Sequence, residues 1–141
     1  MKPDRHDGPL PREKFEALVA DALASIPKRF REAMKNIAIV VEDEPAPELL
    51  VEMEIAPPET LLGLYQGTPL NERPWNYGNQ VPDRVVIFQG PIQRESQGER
   101  DLVIAIGETL IHEIGHYFGL SEEEIAKIED EYWHKTDKAG R

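Results

Sequence analysis

Apolar residues recur at helical spacing in three stretches of the chain, and short β-branched runs separate the first from the second. Phe15, Leu18, Val19, Ala22, Leu23 and Ile26 keep the 3.6-residue period and stop near Pro27, which predicts a first helix there. Lys28 to Lys35 suits a second, shorter helix. Ile37-Ala38-Ile39-Val40-Val41 reads as a buried strand. Leu61 to Gln66 reads as a strand closed by a turn at Gly67-Thr68-Pro69, and Arg84 to Gln89 as the clearest strand of all. Pro91 to Glu95 suits a short turn of helix. From Asp101 to Phe118, Val103, Ile106, Leu110, Ile114 and Tyr117 fall on one side, flanked by Ile104, Ile111 and Phe118. A last helix follows, with Ile125, Ile128 and Trp133 at helical spacing. Helices around a few short strands make the expected fold class α+β, with a small mixed sheet packed against the long helix.

The punctuation sharpens these boundaries. Gly119 sits where a left-handed residue would end the long helix. Ser121 can cap the last helix, with Glu124 at the reciprocal position of a capping box. Eight of the twelve prolines lie between Pro45 and Pro91, so short strands joined by irregular loops are expected there. Asn71 to Pro82, with Trp75 and Tyr77, is read as a connector whose aromatic rings pack down rather than as a loop over a cleft. Gly107 and Gly115 each cost roughly 1 kcal/mol in a helix relative to Ala, so something is expected to approach the backbone there, or a metal to need the space.

The polar side of the long helix carries the chemistry. His112-Glu113-Ile114-Gly115-His116 reads HExxH. Four helical residues rise about 6 Å and complete just over one turn, so His112 and His116 stand one above the other and can bind one metal ion. Glu113 lies about 100° round the helix, where it can reach a water on that metal and act as general base. A catalytic zinc usually has three protein ligands and one open position. The chain has no cysteine, so the third ligand must be His, Asp or Glu. Glu122 follows the Gly119 turn and is one candidate, although acidic residues in a first helical turn are also what the helix dipole favours. Glu129, Asp130, Glu131, His134 and His6 are the others. Tyr117, Tyr65 and Tyr132 are oxyanion-stabilising candidates by residue type.

Charge and length narrow the class. The 141 residues suit one domain, residues 1–141, with 1–10 and 134–141 expected to be flexible. A net charge of −11 argues against nucleic acid and anionic membranes as partners. No segment approaches the roughly 20 apolar residues of a membrane helix, and the N-terminus lacks a signal-peptide core. A cytoplasmic location is the expectation.

The extended motif from His112 through Gly119 to Glu122 resembles that of metzincin-type peptidases, HExxHxxGxx followed by a third ligand. The similarity is closer to minimal bacterial zincin-like metallopeptidases, once a domain of unknown function. Their sequence blocks resemble Leu64 to Leu70, Val86 to Pro91 and Arg100 to Ile125, so the resemblance spans roughly residues 12 to 130. It implies a minimal zincin-like fold, His112, His116 and Glu122 as ligands of one Zn2+ per chain, and Glu113 as catalytic base. It also implies a peptide or protein substrate, with strand Arg84 to Gln89 offering a free edge to an extended peptide. Two departures stand out: the third ligand is Glu where Asp is commoner, and no methionine follows Gly119, so a Met-turn is absent. Little chain follows the motif, so the lower subdomain of larger peptidases is not expected. The competing expectation is a non-catalytic zincin-like protein that binds metal and peptides as a regulatory module.

Overall fold

The computed structural model describes residues 10–67 and 83–139. Helix α1 spans Arg12–Ser25 and α2 Lys28–Ala33, followed by a 3-10 turn, Met34–Asn36. Strand β1 is Ile37–Glu42, α3 Pro47–Glu52, β2 Gly63–Gln66 and β3 Asp83–Phe88. Then come α4, Gln89–Arg94, the long α5, Glu99–Phe118, and α6, Glu122–Ala139. The fold class is α+β, as the periodicity implies.

The strands form one sheet in the order β1-β3-β2. β1 runs parallel to β3, with Ile39 opposite Val85, and β2 runs antiparallel to it, with Leu64 opposite Val86. Strand β3 is therefore central. The expectation that Arg84 to Gln89 offers a free edge is wrong, because both of its edges are hydrogen-bonded within the sheet. Its composition fits that place: Val85, Val86, Ile87 and Phe88 are all buried, so both faces are covered. β1 corrects a second expectation. It is an edge strand in which only Ile37 is buried. The proline-rich middle also holds a helix where only strands and loops are expected. Pro47 begins α3, at the first helical positions, where a missing N–H costs nothing. The connector Asn71 to Pro82, with Trp75 and Tyr77, and the turn residues Thr68 and Pro69 lie outside the described residues.

Helix α5 packs against α1, α6 and strands β2 and β3. Ile106, Leu110, Ile111 and Ile114 are fully enclosed with Phe15, Ala22 and Phe30. Burying a side chain of this size contributes about 1.5–3 kcal/mol, so this seam dominates the stability of the helix. Ile39, Val41, Val85 and Ile87 join the same core from the sheet. Arg12 fastens the start of α1 to the other elements: its guanidinium donates to the Val41 carbonyl and to Gln89, both at 2.9 Å, and pairs with Asp43.

Helix α6 folds back along α5, and the two helix glycines explain how closely. A Cβ on Gly115 would lie 2.6 Å from Ile125, and one on Gly107 would lie 2.0 Å from the Tyr132 hydroxyl. These glycines are where α6 approaches the α5 backbone. Among the described residues, no helix is long and apolar enough to cross a membrane.

Candidate metal centre

Three short-range devices bring α6 over the histidines. At the end of α5, Gly119 adopts the left-handed conformation, φ 75°. Its N–H donates to the His116 carbonyl at 2.9 Å, and the Leu120 N–H donates to the Gly115 carbonyl at 3.0 Å. This is the paired bonding of a Schellman motif. Ser121 then begins α6 with the expected capping box. The Glu124 N–H donates to Ser121 Oγ at 3.1 Å, and the Ser121 N–H donates to Glu124 Oε1 at 2.8 Å. The hydrogen bonds from Ser121 hold the Glu124 carboxyl below the usual range. Only Gly119, Leu120 and Ser121 separate the helices, so Glu122, the first residue of α6, comes round to face α5.

There the imidazoles of His112 and His116 stack edge to face, with ring centroids 4.8 Å apart. The Glu122 carboxylate reaches both rings. Oε1 lies 3.6 Å from His112 Nε2, and Oε2 lies 3.3 Å from His116 Nε2. The second nitrogen of each ring faces another carboxylate: His112 Nδ1 is 3.5 Å from Glu129, and His116 Nδ1 is 3.5 Å from Glu113. Ligand atoms of His112, Glu113 and His116 all lie within 4.8 Å of one another, a grouping able to hold a metal ion. Glu122 is largely exposed, whereas Glu113 is buried, so the two carboxylates meet the histidines from the solvent side and the protein side respectively.

Glu113 is held from the sheet. The Tyr65 N–H donates to Glu113 Oε1 at 2.9 Å. The register of β2 explains why that amide is available. Phe88 donates its N–H to the Leu62 carbonyl, and bonded residues alternate along an antiparallel pair. Leu64 and Gln66 therefore face β3, while Gly63 and Tyr65 turn their amides away from it. Gly63 allows the approach: a Cβ there would lie 2.7 Å from Thr109 and 3.3 Å from Glu113 Cγ.

Electrostatics follow from this crowding of carboxylates. In the metal-free protein the His116 pKa rises to about 9, chiefly through its contact with Glu113, with Glu122 adding and burial opposing. Glu108, one turn before His112, rises to about 7 because it is half-buried and the charges of Glu129 and Asp101 oppose its ionisation.

Of the other sequence candidates, Glu129 meets His112, two helical turns after Glu122. Asp130 and Glu131 lie about 100° and 200° further round α6. His6 and the side chain of His134 fall outside the described residues. The tyrosine candidates divide. Tyr132 is buried against Gly107, and Tyr117 is buried with its ring 6.2 Å from that of Tyr65. The Tyr65 hydroxyl donates to Asp83 at 2.9 Å. The Tyr65 amide is the contact that sequence reasoning misses, because a backbone group carries no residue-type signal.

Residues 34–132 match the sequence model of zincin-like metallopeptidases. That span is more than half of the chain and includes the whole constellation. The chain belongs to the zincin-like metallopeptidase family. No curated protein matches it. Among solved structures, it is similar to a conserved hypothetical protein from T. thermophilus, with a TM-score of 0.52 and 19% identity over 77% of this chain and 94% of that one. That likeness shows a shared fold, and the family makes zinc the metal to test at the histidine pair.

Proposed function

We propose that the chain is a zinc-dependent peptidase, with His112, His116 and Glu122 as metal ligands and Glu113 as general base. The observation that carries the reading is the position of Glu122, whose two oxygens lie 3.6 and 3.3 Å from the Nε2 atoms of His112 and His116. Ligand atoms about 2.1 Å from a tetrahedral metal lie about 3.4 Å apart, so a carboxylate with one oxygen this close to each Nε2 is within reach of an ion held by the two rings. Two imidazoles and one carboxylate also form the donor set of a catalytic site, which keeps one position open. A bound zinc supplies Lewis acidity, which polarises a carbonyl and acidifies a water.

The chain's own residues supply the rest. Among the described residues, both polar contacts of the Glu113 carboxylate fall on Oε1, which leaves Oε2 to accept a proton from the attacking water. The same carboxyl then delivers that proton to the leaving amine. Burial and the Tyr65 amide keep the group in place while it does so. An extended peptide lies along β2 in this reading, since β3 is interior and β2 is the edge strand beside Glu113.

The test is cleavage of a peptide library by zinc-loaded protein, with Glu113→Gln as control. Cleavage by the native protein alone supports the reading. Equal cleavage by the variant removes Glu113 from the mechanism, and no cleavage by either leaves a metal-binding protein without peptidase activity.

A further inference from the structure

We propose that Glu129 is a positioning residue that holds the Nδ1 edge of His112, so that Nε2 is the nitrogen presented to a metal. This inference rests on the metal-site reading above. It begins from the two edges of one ring: His112 Nε2 lies 3.6 Å from Glu122 and Nδ1 lies 3.5 Å from Glu129. A neutral imidazole has one N–H and one lone pair available. It binds a metal through Nε2 only when its proton sits on Nδ1. A carboxylate beside Nδ1 selects that tautomer and fixes the angle of the ring.

The geometry also separates Glu129 from a ligand role. Glu122 has an oxygen within 3.6 Å of each Nε2 atom, whereas the contact of Glu129 is with His112 Nδ1. The two carboxylates are seven residues apart on α6, which places them on one face two turns apart. Their surroundings differ in the same sense. The Glu129 side chain is 28% exposed and that of Glu122 is 74% exposed. The more enclosed carboxylate backs the ring, and the more open one lies where a metal would meet solvent. Helix α6 thus provides both the group that completes the donor set and the group that orients one of its members.

The experiment compares zinc affinity, by competition with a chromogenic chelator, in the full-length protein, Glu129→Ala, Glu129→Gln and Glu122→Ala. The His112 ring nitrogens of the zinc-loaded protein are followed by nitrogen-15 NMR. The expected result for Glu129→Ala is a tenfold to hundredfold loss of affinity with one zinc still bound at saturation. Glu129→Gln keeps an acceptor oxygen in the same volume and loses less, which also guards against a variant that fails to fold. The Nδ1–H signal of His112 is sharp in the native protein and exchange-broadened in Glu129→Ala. Unchanged affinity and an unchanged Nδ1–H signal in Glu129→Ala overturn the inference while leaving the metal site intact. So does loss of the zinc in Glu129→Ala with retention in Glu122→Ala, which makes Glu129 a ligand. A native protein that binds no zinc overturns the metal-site reading itself, and the inference with it.

Discussion

The backbone N–H of Tyr65 donates to the carboxylate of Glu113 at 2.9 Å, joining strand β2 to helix α5 at the residue proposed to move the proton. Because the donor is a main-chain amide, its strength does not depend on the side chain at position 65. The bond also uses one oxygen only, which separates holding the carboxylate from its proton chemistry.

That separation makes Glu113→Gln a clean probe. Glutamine keeps an oxygen for the Tyr65 amide but cannot take a proton from water. Zinc stoichiometry and the melting temperature of the zinc-loaded protein should stay near native, while kcat/KM on the best library peptide falls by at least about 10²-fold. Steady-state kinetics beside a thermal melt checks both halves. A large drop in melting temperature would mean that the negative charge is needed for folding.

Glu122→Ala should act on the metal alone. The side chain is exposed, and the capping box that starts α6 is made by Ser121 and Glu124. Zinc affinity should fall by about two orders of magnitude or more, with circular dichroism unchanged. Chelator competition reads the first effect, and a retained native affinity would move the third ligand elsewhere on α6.

Gly107→Ala should destabilise the protein although alanine is the better helix former. The helical gain is about 1 kcal/mol, whereas overpacking a closed core costs about 1–3 kcal/mol. The added methyl would meet Tyr132, which is itself 1% exposed and cannot swing into solvent without opening the core. Urea unfolding should show a net loss of up to about 2 kcal/mol, and pairing the change with Tyr132→Phe should recover part of it.

The metal-free protein should lose stability as pH rises, in two windows. The folded-state pKa of Glu108 is raised to about 7 from an ordinary 4.5, so the folded protein binds the extra proton between those values and stability falls across them. His116 is raised to about 9 from 6.5; its contribution is fully present below 6.5 and is lost as pH passes through about 9. Urea midpoints from pH 5 to 9 check the sign. Zinc must displace the His116 proton, so apparent zinc affinity should rise by about tenfold per pH unit between those two values.

Much of this arrangement is legible in the sequence because it is built from local signals. The period of Phe15 to Ile26 and of Val103 to Tyr117, the Gly119 stop and the Ser121–Glu124 box each depend on residues a few positions apart. The stacking of His112 on His116 depends on four. What is not legible depends on pairing at a distance. The run Val85 to Phe88 announces a buried strand, but nothing in it says that β1 and β2 lie on either side. The partly exposed β1 reads as buried because its apolar run looks the same as that of an interior strand. Helix α3 is hidden by prolines that count as loop signals, although Pro47 stands where a helix accepts one. The Tyr65 amide leaves no trace in composition, and Glu129 looks like any acidic residue of an exposed helix until α6 is laid along α5.

The three-residue turn between α5 and α6 sets the phase of one helix against the other. Its Schellman bonds end α5 at one residue and its capping box starts α6 at another, so neither boundary can slide independently. One residue inserted between Glu122 and Glu129 would rotate the second carboxylate by about 100° about the α6 axis, away from His112, while leaving the first in place. In the proposed site the interval of seven on α6 therefore counts as fully as the interval of four on α5, and in this family a change of length within that segment should be rarer than a change of residue.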